Sequence, residues 1–144
     1  TDAPINHVDI EPTTLGLCGI EVPNEMVGHD YSGHCILSGA PEFKGRPKRE
    51  DEPDSAFLQQ IPPKMHAHSV NKAWRAVVTR EGWKYACTPG NDWMLFNTSD
   101  DHCELANYVH DTSFQAQKER CQDRLARWIE DTGDTFDLPD IGLA

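Results

Sequence analysis

Residues 74–97 read WRAVVTREGWKYACTPGNDWMLFN, and this stretch predicts the central strands of the protein. It contains three segments rich in β-branched and aromatic residues, at 74–79, 83–87 and 93–97, and such residues favour β-strands. The linking sequences, REG and TPGND, are short and turn-like. Because short links join neighbouring antiparallel strands, the stretch predicts consecutive hairpins. Residues 56–61, AFLQQI, supply a candidate fourth strand.

A long helix is predicted over residues 113–131, downstream of the strands. Its apolar residues fall at offsets 0, 7, 11, 14 and 15, which places them on one helical face. They are Phe114, Cys121, Leu125, Trp128 and Ile129. Thr112 with Gln115 predicts a capping box at the start, and Gly133 predicts the stop. One amphipathic helix on one face of a small sheet is a stable layer arrangement.

The chain before the strands is rich in loops and carries one predicted helix, at residues 9–19. Asp9 is a candidate cap, Pro12 fits an early helical position, and Gly19 is a natural stop. Residues 41–55, PEFKGRPKREDEPDS, are too polar to bury apolar surface and predict an exposed loop. The predicted fold class is therefore α+β: an antiparallel sheet of three to four strands with a long C-terminal helix, preceded by a helix-and-loop segment.

Composition excludes several functions. The chain has 144 residues, and its 13 Lys and Arg against 24 Asp and Glu give a net charge of −11. Nucleic-acid binding needs clustered cations and is not expected. No apolar run is long enough for a membrane span. The 38% hydrophobic content and the start at Thr1-Asp2-Ala3-Pro4 predict a portion of something longer that leans on a partner.

Histidines and cysteines raise the possibility of a metal site. His66 and His68 are two residues apart, which puts them on one side of an extended chain, and with Cys87 or Cys103 they could bind zinc. The chain has no CxxC pair and no HExxH, and the spacing fits no standard zinc site. Polar residues along one side of a strand are the favoured interpretation. The odd cysteine count, five, rules out a complete disulfide framework in a monomer.

The same stretch concentrates cations and hydrogen-bond donors in an otherwise acidic chain, which suits an anionic ligand. These residues are Lys64, His66, His68, Asn71 and Lys72. Cys87-Thr88-Pro89 offers a candidate nucleophile, but Pro89-Gly90 is better explained as a hairpin turn. The residues alone assemble no complete catalytic constellation.

The order of the segments resembles the C-terminal part of the sulfatase family, enzymes of the alkaline-phosphatase-like superfamily that hydrolyse sulfate esters. Residues 7–20, HVDIEPTTLGLCGI, look like the family stretch vDlaPTlLdlaGi. Residues 22–23 and 26–32, VP and MVGHDYS, look like vP and mqGrdls. Residues 74–85 look like RaVrT.rwKY, and residues 91–108 look like eLYDLe.DP.ElnNl. Four such pieces in the right order are a specific signal.

Departures from the family pattern define what this chain lacks. Family members carry Cys- or Ser-x-Pro-x-Arg, whose first residue becomes the formylglycine nucleophile; Cys87-Thr88-Pro89-Gly90-Asn91 lacks the Arg. The paired acidic residues for the metal and the Asp-His-Gly segment are also missing. The resemblance therefore implies the end of the large domain at 1–55 and the C-terminal subdomain at 56–144. No catalytic or metal-binding residue is assigned here, and formylglycine and calcium are expected elsewhere in the complete enzyme.

The resemblance also implies a binding surface and partners. In such enzymes the C-terminal subdomain borders the active-site cleft, so the candidate substrate-binding residues are His66, His68, Asn71, Lys72 and Trp74. The implied partners are the rest of the catalytic domain and a sulfated small molecule or glycan. Export to the periplasm or the exterior is a tendency of bacterial relatives. A free-standing binding or assembly module derived from the subdomain stays open as the alternative.

The helix at 9–20 would pack on the large sheet of the complete enzyme. Without that sheet, the helix is predicted to expose Leu15, Leu17 and Ile20, which then need a covering partner.

Overall fold

A four-stranded antiparallel sheet, with strands in the order β1-β2-β3-β4, forms the centre of the second half of the chain. The strands are β1 (Ser55–Gln60), β2 (Trp74–Thr79), β3 (Trp83–Thr88) and β4 (Asn91–Asn97). Gly82 (φ 85°) and Gly90 (φ 68°) occupy the two tight turns with left-handed backbone that glycine adopts without steric cost. The predicted hairpins are confirmed, and the candidate fourth strand is present one residue earlier than its predicted range of 56–61.

The computed structural model describes residues 3–34, 52–62 and 72–140. The chain divides into two units, Thr1–Asp54 and Ser55–Ala144.

Helix α2 (Gln115–Thr132) packs against β1, β2 and β3. Val77 pairs with Tyr85, and Tyr85 pairs with Leu95, so these three side chains share the sheet face that meets Leu125 of the helix. The buried core of this unit comprises Val77, Tyr85, Cys87, Leu95, Val109, Cys121 and Leu125. The predicted α+β class, with a helix laid on one face of the sheet, is confirmed.

The start of the C-terminal helix differs from its prediction. A single 3₁₀ turn, Thr112–Phe114, precedes α2, and the side chain of Asp111 accepts a hydrogen bond from the Ser113 amide. The predicted capping box of Thr112 and Gln115 is therefore wrong. Asp111 has extended backbone and can reach back to the first turn, whereas Thr112 already lies within it. Gly133 (φ 64°) ends the helix as predicted.

The first unit is built around helix α1 (Ile10–Leu17), which follows a 3₁₀ turn at His7–Asp9. The carboxylate of Asp9 accepts from the backbone amides of Asn6 (2.6 Å) and His29 (2.8 Å). Asp9 occupies the predicted N-cap position of α1 but makes no side-chain bond to that helix. Its carboxylate instead completes a capping box at the preceding 3₁₀ turn and binds the His29 amide. Gly19 has the left-handed φ of 70° that ends the helix.

Apolar side chains of the first unit lie in solvent. Leu17 is 36% exposed and Ile20 is 53% exposed, while Leu15 is half-buried. Exposure of Leu17 and Ile20 is as predicted, whereas the predicted exposure of Leu15 is wrong. A second 3₁₀ turn, Ser32–His34, follows the loop after α1, and the predicted polar loop at 41–55 falls mainly outside the described residues. Whether residues 1–55 are the end of a larger domain stays a prediction.

Candidate functional site

Two of the five predicted substrate-binding residues are placed by the structure. Lys72 is exposed two residues before β2, and Trp74 is the first residue of that strand. His66, His68 and Asn71 lie outside the described residues. Because β1 ends at Gln60 and β2 begins at Trp74, the β1–β2 connection (residues 61–73) carries or adjoins every predicted site residue.

Trp74 is held against the neighbouring strand. It pairs in register with Gln60, and its indole Nε1 donates to Gln60 Oε1 at 2.7 Å. The side chain is half-buried. Because the single donor of Trp74 is satisfied within the protein, this residue can offer its ring surface to a ligand. Lys72 can offer a charge.

A buried arginine stands next to Trp74. Arg75 is 6% exposed, and its Nε and Nη2 donate to Asp134 Oδ2 and Oδ1 at 2.5 and 3.1 Å. Its Nη1 donates to the carbonyl oxygens of Gln60 (3.2 Å) and Trp74 (3.0 Å). The guanidinium carbon lies 4.6 Å from the centre of the Phe136 ring, a cation–π contact. The Arg75 hydrogen bonds lower the pKa of Asp134 below its ordinary value.

Sequence reasoning did not single out Arg75, Asp134 or Gln60. The signal available in the sequence was a cation within a predicted strand. Because a buried arginine needs an acidic partner, this cation implies that an acid from elsewhere in the chain packs against it. Nothing in the local pattern identifies which acid that is.

A second buried polar cluster lies between the sheet and α2. The Tyr85 hydroxyl donates to Asp92 Oδ1 at 2.5 Å, and Gln122 Nε2 donates to the same oxygen at 3.0 Å. Lys118 Nζ donates to Asp92 Oδ2 at 3.1 Å. A β-bulge in the β3–β4 pairing sets Asp92 opposite Cys87. Burial is the main reason that the pKa of Tyr85 is raised well above its ordinary value. Tyr85 therefore stays neutral, and the cluster is a satisfied structural network.

The cysteines are unsuited to nucleophilic chemistry in this fold. Cys87 ends a fully buried stretch of β3, and burial raises its pKa to about 12. Burial likewise raises the pKa of Cys121 to about 11. Because the thiolate is the reactive form, neither is activated. Pro89 and Gly90 form the turn after β3, as predicted. Cys18 and Cys103 are exposed free thiols.

Among the described residues, no group of three or more His, Cys, Asp or Glu side chains could hold a metal ion. The zinc alternative joined His66 and His68 to Cys87 or Cys103. Both histidines fall outside the described residues, Cys87 is buried in the core, and Cys103 is on the surface.

The first unit carries an open groove of about 480 Å³ between α1 and the following loop. It is lined by Val8, Glu11, Pro23, Glu25, Met26 and Val27. Val8 and Val27 are mostly exposed, at 52% and 76%. Four of its six lining residues are apolar and two are acidic, a composition that suits contact with another protein segment.

The sequence is similar along nearly its whole length to a curated sulfatase. It is 28% identical over 142 residues to an ulvan-active sulfatase from Formosa agariphila, a match that covers 99% of this chain and 25% of that enzyme. The matched quarter is the C-terminal part of that sulfatase. No family model matches the chain. The resemblance that was predicted from four short sequence pieces is thus confirmed.

Solved sulfatase structures share the fold. A 2-O GAG sulfatase, BT1596, superposes with a TM-score of 0.66 and 23% identity, covering 88% of this chain and 25% of that one. BT4656, solved with its substrate D-glucosamine-2-N,6-O-disulfate, gives a TM-score of 0.62 and 19% identity over 88% of this chain and 24% of that one. This chain spans about a quarter of the length of these relatives. Within the described part of the chain, none of the helices has the length and apolar character that a membrane span requires.

Proposed function

We propose that this chain is the C-terminal part of an enzyme that hydrolyses sulfate esters, and that it supplies structure and substrate-cleft surface to that enzyme. The observation that carries the proposal is the match to the ulvan-active sulfatase, which runs through 99% of this chain. The fold shared with two further sulfatases supports it. The order of the family-like segments from His7 to Tyr108 supports it independently of any single short motif.

The residues described here do not fit either a sulfatase metal centre or a formylglycine nucleophile. Among these residues no cluster of three or more His, Cys, Asp or Glu side chains could bind a metal ion. Cys87 is buried in the core, and its pKa is raised. We therefore assign the formylglycine and the divalent metal, calcium, to the remainder of the enzyme. The role that we propose for this chain is to supply structure and substrate-cleft surface.

The proposed substrate surface lies at the start of β2. Lys72 is exposed and makes no ion pair within the described residues, so its charge is available to a sulfate. Trp74 adds ring surface that suits the C–H face of a sugar. His66, His68 and Asn71, in the same connection, are proposed to donate hydrogen bonds to sulfate or hydroxyl oxygens. We propose a sulfated sugar as substrate because one relative is named for ulvan and another was solved with a sulfated glucosamine.

Kinetics with sulfated oligosaccharides test this surface. In the natural polypeptide that carries this chain, Lys72→Ala, Trp74→Ala and His66→Ala should each raise KM roughly tenfold with little change in kcat, because they remove contacts to the substrate body. Lys84→Ala is the matched control, since Lys84 pairs with Glu104 away from β2's start. Unchanged KM in all three variants would remove the surface from the proposal.

A binding or assembly module without activity is the second candidate. The observation that favours it is the apolar groove of the first unit, with Val8 and Val27 exposed at its edge. Both candidate functions require a partner that covers this groove, but the identity of the partner differs between them. A sulfatase fills it with another part of the same polypeptide, whereas a module fills it with a separate protein, so the length of the natural polypeptide separates them.

A further inference from the structure

We propose that Arg75 is a positioning residue for substrate binding: its guanidinium holds the start of β2, and with it Lys72 and Trp74, in the geometry that the substrate meets. The inference rests on the proposed function and deepens it, because it names the residue on which the proposed binding surface depends. In this proposed role Arg75 does not touch the substrate and acts only through its neighbours.

Two backbone carbonyl contacts of Arg75 join the ends of the β1–β2 connection. Arg75 Nη1 donates to the carbonyl oxygen of Gln60, the last residue of β1, and to that of Trp74, the first residue of β2. One nitrogen thus bridges the two ends of the β1–β2 connection. The indole of Trp74 adds a further link between the same two residues through Gln60 Oε1. The connection therefore leaves and rejoins the sheet at a fixed point.

Asp134 and Phe136 anchor the Arg75 guanidinium. Asp134, which lies 59 residues further along the chain and follows α2, binds Arg75 in a two-pronged arrangement. The Phe136 ring covers the guanidinium. A planar fork with two parallel bonds has one favoured orientation, which a lysine ammonium cannot reproduce. The segment after α2 consequently determines where Nη1 points.

The binding consequence follows from burial. With Asp134 neutralised or removed, Arg75 would hold a buried charge without its partner, and its side chain would turn toward water. The carbonyls of Gln60 and Trp74 would lose their shared donor. Trp74 and Lys72 would then sample several positions. Contacts to the body of the substrate would weaken equally in the ground state and the transition state. KM would therefore rise while kcat stays unchanged.

The test uses the natural polypeptide with the variants Arg75→Lys and Asp134→Asn. Sulfate release from sulfated oligosaccharides gives KM and kcat, and amide hydrogen exchange followed by mass spectrometry reports residues 72–79 directly. Both variants should raise KM roughly tenfold at near-constant kcat and speed exchange at the start of β2. The double variant should be no worse than either single variant, because both remove one linked arrangement. Arg124→Lys, in the exposed pair with Glu81, is the matched control and should change neither KM nor the exchange rate at residues 72–79.

Asp134→Asn keeps the test decisive if Arg75→Lys fails to fold, because Asp134 lies nearer the surface. Faster exchange at residues 72–79 with unchanged KM overturns the positioning role and leaves Arg75 as a structural residue. Unchanged exchange in Asp134→Asn overturns the anchor itself. If the unsubstituted polypeptide releases no sulfate from any ester, the proposed function has failed, and exchange data distinguish that failure from a failure of the anchor.

Discussion

The Tyr85 hydroxyl and the Asp92 carboxylate meet at 2.5 Å beneath α2, and Gln122 and Lys118 complete the bonding of that carboxylate. Tyr85→Phe removes one donor from the half-buried carboxylate of Asp92 while conserving the ring. We expect the free energy of unfolding to fall by about 1–3 kcal/mol, the loss of one hydrogen bond to a charged group. Urea unfolding of the full chain measures it. Tyr108→Phe is the control, because the Tyr108 hydroxyl makes no hydrogen bond within the described residues. Equal losses in the two variants would contradict the network.

The core beneath α2 depends on Leu125, whose side chain is fully buried. Leu125→Ala should lower the free energy of unfolding by about 2–5 kcal/mol, because it leaves a cavity between helix and sheet. Leu105, at 85% exposure, is the matched control: Leu105→Ala should change stability by less than about 0.5 kcal/mol. Thermal or urea unfolding distinguishes the two, and similar losses would mean that α2 does not pack as described.

Stability should depend on pH through the Arg75–Asp134 pair. Because the Arg75 hydrogen bonds lower the pKa of Asp134 from 3.8, the folded state favours the charged carboxylate. The stabilisation is complete above the ordinary carboxyl pKa and is lost as the pH falls through the lower folded value. We therefore expect the stability gap between the unsubstituted chain and Asp134→Asn to be constant from pH 7 to 5 and to shrink below pH of about 4. A gap that persists unchanged at pH 2 would contradict the assignment.

Thiol reactivity should divide the described cysteines into two pairs. Cys18 and Cys103 are exposed and should be alkylated rapidly at pH 8. Cys87 and Cys121 are buried with pKa values of about 12 and 11, so both should react only after unfolding. Peptide mapping after iodoacetamide treatment, with and without urea, measures this. Rapid native labelling of Cys87 would show that β3 is more open than described.

The strands of this fold follow from local sequence, because the three apolar segments and the Gly82 and Gly90 turns carry their own signals. The helix face followed from the spacing of Leu125 and its apolar neighbours. The capping residue of this helix did not follow from the sequence. Asp111 and Thr112 are adjacent and of equally suitable type, and only the backbone conformation selects between them.

The candidate site was predictable only in part. The position of Trp74 at the start of a strand was readable from residue type, and Lys72 stood out as a cation in an acidic chain. The pairing of Arg75 with Asp134 could not be predicted, because the two lie 59 positions apart in the sequence and only tertiary packing brings them together. The roles of His66, His68 and Asn71 stay predictions, since these residues fall outside the described part of the chain.

Two properties of one sample test the proposed function: the intact mass of the natural polypeptide, and its release of sulfate from p-nitrophenyl sulfate and sulfated oligosaccharides. We predict a mass far above the 16.2 kDa of this chain, accompanied by sulfate release that a chelator of calcium abolishes. A natural polypeptide of 16.2 kDa that releases no sulfate would contradict the account and favour a free-standing module.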